Sequence, residues 1–508
     1  MPSPILLCTI NAKYIHASLG LRYLLANLGD LQQSAKIAEF VITQRPLDIV
    51  EAIIAHQPQV VGLGVYIWNV EQTTQVVAIL KRVAPEVCVI IGGPEVSYEF
   101  EEQQIFQEAD YLITGQADFA FAQLCRAVLA GHKPPIKVHL GGELATAGLA
   151  LPYHLYDEQD IAHRLIYVEA SRGCPFKCEF CLSSLDTTAR PFELTRFLAE
   201  MDALFQRGVR HFKFVDRTFN LAPATSAAIL QFFLERVDER LFLHFELVPD
   251  RLPATIAQLL AEFPPGAVQL EIGVQSFNTL IQRRISRQQD DARTVANLTW
   301  LRQHTQAHLH VDLIVGLPGE DMDSFAAGFD KLVALQPHEI QIGILKRLRG
   351  TPIGRHAVDF GMVFNPGPPY NLLASNQISF QDMQRLVRVA RYWDLVGNSA
   401  RFPNAKVLLL GEAPFARLLA FSDWVYAHVA KTHEFAVGRL FQVVHNALTE
   451  RLGVSVEDAT AALKLDSERL GVRDGFQARP PKQDGGQPTA ETRADDSHRT
   501  RQKRFAIQ

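Results

Sequence analysis

Ser171-Arg172-Gly173-Cys174-Pro175-Phe176-Lys177-Cys178-Glu179-Phe180-Cys181 places three thiols within eight residues. So tight a group is a poor frame for a disulfide set, yet it suits thiolates converging on one metal centre. Soft thiolates select zinc, copper(I) or iron–sulfur centres. A structural zinc site needs a fourth protein ligand, and the next Cys or His after Cys181 is His211. An electron-carrying ferredoxin likewise supplies four cysteines. Three thiolates instead leave one metal position open to a substrate or cofactor.

Outward from this loop, strand-like and helix-like patterns alternate. Strands are predicted over residues 165–170, 211–215, 242–247, 268–272, 308–315 and 339–345, with helical periodicity between them. These strand–helix units predict a partial (β/α)6 barrel, with the cysteine loop at the carboxyl end of its first strand. Polar or glycine-rich signals follow the later strands: Asp216-Arg217-Thr218-Phe219-Asn220, then Glu246 and Asp250, then Gly273-Val274-Gln275-Ser276, then Gly316-Leu317-Pro318-Gly319-Glu320, and finally Lys346 with Gly350-Thr351-Pro352. Barrels carry their catalytic groups on that face. His308, His310 and Asp312 alternate on one strand face and read as a satisfied hydrogen-bond network. Arg283 and Arg284 read as a solvated helix face.

Towards the amino terminus, predicted strands at residues 5–10, 37–43, 60–66, 87–91 and 111–114 alternate with helices, the pattern of an α/β doubly wound parallel sheet. Its glycine turns, Gly62-Leu63-Gly64, Gly92-Gly93-Pro94 and Gly115, fall at strand carboxyl ends, where such sheets bind ligands. A nicotinamide site is disfavoured because Gly62-Leu63-Gly64 runs on to Ile67 and not to a third glycine. Towards the carboxyl terminus, residues 371–470 read as mainly helical. Residues 471–508, rich in Pro, Gly, Gln, Asp and Arg, read as a disordered tail. The expected domains are therefore 1–135 (sheet), 136–162 (linker), 163–370 (barrel), 371–470 (helical) and 471–508 (tail).

Composition sets outer bounds. The 47% hydrophobic and 21% charged shares are those of a globular protein, and no apolar run is long enough to span a bilayer, so no membrane insertion is expected. The amino terminus reads as a strand with no signal-peptide pattern, which points to the cytoplasm. A net charge of −5 gives no general drive towards nucleic acid. Cys8, Cys88 and Cys125 sit in apolar runs and read as small buried hydrophobes.

The Cys-x-x-x-Cys-x-x-Cys pattern, with an aromatic before its last cysteine, resembles the radical S-adenosylmethionine superfamily over residues 166–352. The resemblance implies a 4Fe-4S cluster held by Cys174, Cys178 and Cys181. Its open iron would chelate S-adenosyl-L-methionine, and reduction would split the sulfonium to a 5′-deoxyadenosyl radical. Phe180 is then a neighbour of the adenine, and Glu246, Gln275 and Ser276 are candidates to contact the rest of that cofactor. A helix cap or turn is the competing role for each.

The order of domains resembles cobalamin-binding radical enzymes, in particular a subgroup with its own carboxyl-terminal domain. The matching segments are Asn11-Ala12-Lys13-Tyr14-Ile15-His16, Tyr66-Ile67-Trp68-Asn69, Gly92-Gly93-Pro94-Glu95 and the Asp216 segment. What this implies is a cobalamin with its tail along the glycine turns, contacted by Asn11, Tyr14, His16, Gly92, Gly93 and Gly115. The mutase motif Asp-x-His-x-x-Gly is not met: Tyr14 precedes His16 and the glycine is Gly20. His16 therefore reads as a pocket or loop contact in preference to a cobalt ligand, while Trp68 reads equally as pocket or core. The implied activity is methyl transfer to an unreactive carbon of a small-molecule substrate, served by a reducing donor such as flavodoxin or ferredoxin. Alternatives are an anaerobic radical cyclase, a tRNA methylthiotransferase with a second cluster, and a non-catalytic cobalamin or redox sensor. The catalytic side chains remain unassigned.

Overall fold

Alternate apolar residues of β1 (Ile5–Asn11) feed two different cores, which is what a strand buried on both faces requires. Leu6, Cys8 and Ile10 join Ile49, Ile53, Val76 and Leu80 of the helices Pro46–Ala55 and Val70–Val83. Ile5 and Leu7 join Leu21, Phe121 and Cys125 of the helices Leu19–Ala26 and Asp118–Leu129. With β2 (Ala35–Val41), β3 (Val60–Gly64), β4 (Cys88–Gly92), β5 (Tyr111–Gly115) and β6 (Val138–Gly141), β1 forms a parallel sheet of order β2-β1-β3-β4-β5-β6. Because β1 has β2 on one side and β3 on the other, a crevice opens at the strand carboxyl ends. Strand β6, inside the stretch expected as a linker, pairs with β5 as an edge.

These elements come from a computed structural model that describes residues 3–142, 146–471 and 476–477. The expected disordered tail falls almost wholly outside the described residues. The chain divides into two units, Met1–Glu246 with Lys346–Arg355 and Phe364–Asn371, and Leu247–Leu345 with His356–Val363 and Leu372–Gln508.

The first unit continues into β7 (Ile166–Val168), β8 (His211–Phe214) and β9 (Phe242–Leu247), where β8 pairs in parallel with both neighbours. Phe212, Phe214 and Phe245 turn to one side and meet Phe197 and Phe233 of the helices Leu194–Gln206 and Pro223–Leu234. The opposite side is left to Tyr167, Lys213 and His244. In the second unit β10 (Val268–Gln275), β11 (His308–Val315) and β12 (Glu339–Ile344) pair in parallel. All six strand–helix units of the expected barrel series are thus built.

On β11, Leu309, Val311, Leu313 and Val315 are buried on one face, and His308, His310 and Asp312 share the other. His308 Nε2 lies 3.0 Å from Glu339 Oε1, and His310 Nε2 lies 3.2 Å from Gln341 Oε1 and 3.3 Å from Asp312 Oδ1. Burial opposes charge on His310, but Asp312, Glu339 and Glu271 outweigh it and push the imidazole up to about 9. This is the bonded network the alternation suggested.

Beyond the short strand Leu372–Ala374 the second unit is mainly helical, with Phe380–Val396, Pro403–Leu410, Pro414–Val429, Val437–Asn446 and Val456–Arg469. Ser379 caps the first helix, and buried Asp466 accepts from the Asn404 and Ala405 N–H groups at the start of the second. Trp393 Nε1 donates to the Ile340 carbonyl at 2.8 Å, anchoring the first helix to β12. Among the described residues no helix is long and apolar enough to cross a membrane.

The sheet separates the other cysteines. Cys8 packs on one face, while Cys88 and Cys125 belong to the other. Burial pushes the Cys88 and Cys125 thiols up to about 12 and raises Cys8 further. They behave as the small neutral hydrophobes expected, and they do not gather as a second thiolate set.

Candidate cofactor site

Gly173 makes the turn that starts the cysteine loop. Its φ is +90°, and a Cβ there would fall 1.7 Å from the Thr188 carbonyl oxygen, so no other residue fits. The Cys174 N–H donates to the Asp186 carbonyl at 3.0 Å, and the Cys181 N–H to the Cys178 carbonyl at 3.0 Å. Cys174 and Cys178 are buried and Cys181 is half-buried. Burial raises the Cys174 thiol, the Phe176 N–H opposes the rise, and Cys181 and Cys178 add to it, so both other thiols act electrostatically on Cys174. Among the described residues no three His, Cys, Asp or Glu side chains close round a single ion. A cubane makes a different demand, because each cysteine binds its own iron. Three thiols on one short loop, two buried and one half-buried, fit that donor set.

Two buried groups fix the strand end before the loop. The Asp216 carboxylate accepts from the Ala170 N–H at 2.9 Å and the Ser171 hydroxyl at 2.7 Å. Arg172 donates to Glu169 at 2.8 Å and to Asp118 at 3.1 Å, with its guanidinium 4.3 Å from the Tyr23 ring centre. Asp118 opens the helix after β5, so the sheet and the loop share one ion network. Burial raises the Glu169 carboxyl, and Arg172 opposes that rise.

A cavity of about 890 Å³ opens above the carboxyl ends of β1, β3, β4 and β5. Of the residues assigned to cobalamin from sequence, Asn11, His16, Gly92, Gly93 and Gly115 line it. Gly93 has φ +113°, and a Cβ there would lie 2.5 Å from the Val65 carbonyl, so the cavity floor depends on glycine. Ser171, Arg172, Gly173, Ser183, Asp186 and Arg217 line the same space, so the wall beside the cysteine loop belongs to it. Trp68 is half-exposed on the lining and stacks on Tyr66 at 4.4 Å, with Nε1 donating to the Ile10 carbonyl. Tyr14 stands apart from the other five. Its ring is outside the lining and covers the Arg164 guanidinium at 4.5 Å, a cation–π contact on the surface.

His16 Nδ1 is 2.6 Å from the Tyr167 hydroxyl. Burial, with Lys213 and Lys13 adding to it, holds the imidazole below its ordinary value, and burial pushes Tyr167 up to about 12. Both are neutral at pH 7, and among the described residues no carboxylate backs the imidazole as it does in many metal-ligating histidines.

The remaining candidates divide between the units. In the first, Phe180 is half-buried and Glu246 pairs with Arg217 at 2.7 Å. In the second, Gln275 sits at a bulge of β10 with φ +70°, a strained position for a non-glycine residue. Ser276 is buried and donates its hydroxyl to Glu320 at 2.5 Å, a structural use that competes with any ligand contact. Burial pushes Glu320 up to about 7. Arg287 donates to the Gly273 carbonyl beside Gln275 and stands near Asp312. Sequence reading missed Arg172, Asp118, Glu169 and Tyr167; the Arg172–Asp118 and Tyr167–His16 contacts join stretches distant in the chain.

The Radical SAM superfamily model matches residues 168–332, and the B12 binding domain model matches residues 5–125. The chain thus carries a radical SAM domain and a B12 binding domain. A family described only as a protein of unknown function (DUF4080) matches residues 358–471. The cobalamin-dependent radical SAM methyltransferase TokK of Streptomyces tokunonensis is 24% identical over 62% of this chain and 52% of its own. The chain thus spans about half the length of the curated relatives it matches. The cobalamin-dependent S-adenosylmethionine radical enzyme OxsB, solved with aqua-cobalamin bound, superposes with a TM-score of 0.61 at 14% identity over 92% of this chain and 79% of that one. The radical S-adenosylmethionine methyltransferase TsrM of Kitasatospora setae, solved with cobalamin and a [4Fe-4S] cluster bound, gives 0.58 at 18% identity over 75% and 79%. These likenesses establish that the chain shares their fold.

Proposed function

We propose that this protein is a cobalamin-dependent radical SAM methyltransferase acting on an unreactive carbon of a small molecule. The observation that carries the reading is the shared wall: one cavity is lined both by Gly92, Gly93 and Gly115 of the sheet and by Ser171, Arg172 and Gly173, which lead into Cys174. A planar macrocycle above the strand ends would therefore lie beside a thiol-bound cluster in the same unit. Bound together, the cluster with S-adenosylmethionine would supply hydrogen abstraction, and the corrinoid a methyl group.

The chain's own part is to hold these groups. Cys174, Cys178 and Cys181 would ligate the cluster, with Phe180 as a neighbour of the adenine and Glu246, Gln275 and Ser276 as proposed contacts of S-adenosylmethionine. Arg217, on the cavity wall and paired with Glu246, supplies a cation near Cys174. His16 and Tyr167 form a neutral wall, which suits a corrinoid face left without a protein ligand. A low-potential donor of the flavodoxin or ferredoxin class would supply electrons.

The test is to reduce the anaerobically purified chain with S-adenosylmethionine present. The proposed function expects 5′-deoxyadenosine from the native protein and none from Cys178→Ala. A fully reduced, cluster-loaded protein that leaves S-adenosylmethionine intact would refute it.

A further inference from the structure

The loop that floors the cavity and the loop that carries the cysteines are held by the same short piece of chain. Glu95 follows the Gly92-Gly93 turn and is buried. Its Oε1 accepts from Arg349 Nε at 2.9 Å and from the Tyr370 hydroxyl at 2.6 Å, and Arg349 Nη2 donates to that hydroxyl at 3.1 Å. Burial and Glu95 together push the Tyr370 hydroxyl up to about 12, so it remains a donor. Glu99 accepts from Arg347 at 3.0 Å and from the Gly350 N–H at 3.2 Å, and the Tyr98 ring abuts Gly350.

A few residues further on, the Ile353 N–H donates to the Glu179 carbonyl at 3.1 Å, and the Arg355 guanidinium pairs with the Glu179 carboxylate. Glu179 lies between Cys178 and Phe180 and is buried. The segment Lys346–Arg355 therefore pairs with two buried carboxylates, Glu95 through Arg349 and Glu179 through Arg355. A segment this short, held on both, passes a displacement of one loop to the other.

We infer that Lys346–Arg355 is a strap that sets the cysteine loop according to the state of the corrinoid-side loop, with Arg349 and Arg355 as its positioning residues. The inference rests on the function proposed above. Cavity occupancy orders the turn around Glu95, Arg349 carries that order along the strap, and Arg355 and Ile353 deliver it to Glu179 between two of the cluster ligands. A plain tether would hold the loop equally well with the cavity full or empty. A coupling strap tightens it only when the cavity is filled.

Hydrogen exchange on the full, cluster-reconstituted chain with and without hydroxocobalamin separates these cases. In the native protein, hydroxocobalamin slows exchange about tenfold both in residues 92–99 and in residues 174–181. In Arg349→Gln and in Arg355→Gln, hydroxocobalamin still binds, by its absorbance after gel filtration, and still slows residues 92–99. The slowing at 174–181 is lost in both variants, and Arg355→Lys restores it. Arg355 is largely exposed, which keeps that variant foldable if Arg349→Gln is not. Native-size slowing at 174–181 in Arg355→Gln overturns the strap alone. Absence of hydroxocobalamin binding and of any slowing at 92–99 in the native protein overturns the proposed function as well.

Discussion

Asp216 Oδ1 accepts the Ser171 hydroxyl at 2.7 Å, tying the end of the second barrel strand to the residue that opens the cysteine loop. The carboxyl is buried, and burial outweighs its bonds from Ser171 and Ala170 to push it from 3.8 up to about 6. The folded protein therefore holds this proton more tightly than the unfolded chain does. Stability linked to Asp216 is fullest near pH 4 and is lost as pH rises to about 6. The loss amounts to about 3 kcal/mol, at about 1.4 kcal/mol per pH unit over the interval. Urea unfolding of the cofactor-free chain at several pH values should show this fall, and Asp216→Asn should flatten it. Parallel curves for the two proteins would exclude the assignment.

Arg172 faces Asp118 and Glu169 in a nearly dry setting. Arg172→Met leaves two buried carboxylates without their cation and should cost about 3–5 kcal/mol of stability. Arg172→Lys should recover only part of this, since a lysine does not reproduce the two-sided fork. The readout is the urea midpoint at pH 7, where an unchanged midpoint for the methionine variant would remove the network from the account.

His16 and Tyr167 make a prediction about cobalt. With a neutral phenol and, among the described residues, no carboxylate behind it, the imidazole is a weak donor. The electron paramagnetic resonance spectrum of bound cob(II)alamin should lack nitrogen splitting from a histidine, and His16→Gln should leave it unchanged. A three-line splitting lost in that variant would make His16 a cobalt ligand.

Gly173→Ala should separate the two cofactors. A Cβ at this position collides with the Thr188 carbonyl, so the loop must shift. Iron content should fall several-fold while corrinoid binding persists. An alanine variant with native iron content would show that the turn tolerates change.

Most of the fold was legible because burial on both faces writes strands as apolar runs, as in Ile5–Asn11 and Val60–Gly64. Strand β6 was not, because an edge strand needs no such run: Leu140 within it is 82% exposed. The cysteines were legible because all three ligands come from one short loop. Arg172 was not, because its partner Asp118 is set by the fold and is 54 residues away.

Iron, sulfide and corrinoid analysis of the anaerobically purified full chain, beside a variant with Cys174, Cys178 and Cys181 all changed to alanine, tests the central claim most directly. The native protein should carry about four iron, about four sulfide and one corrinoid per chain, and the variant should lose the iron and sulfide yet keep the corrinoid. Iron retained without these three thiols, or a native protein that takes up no corrinoid, would contradict the account.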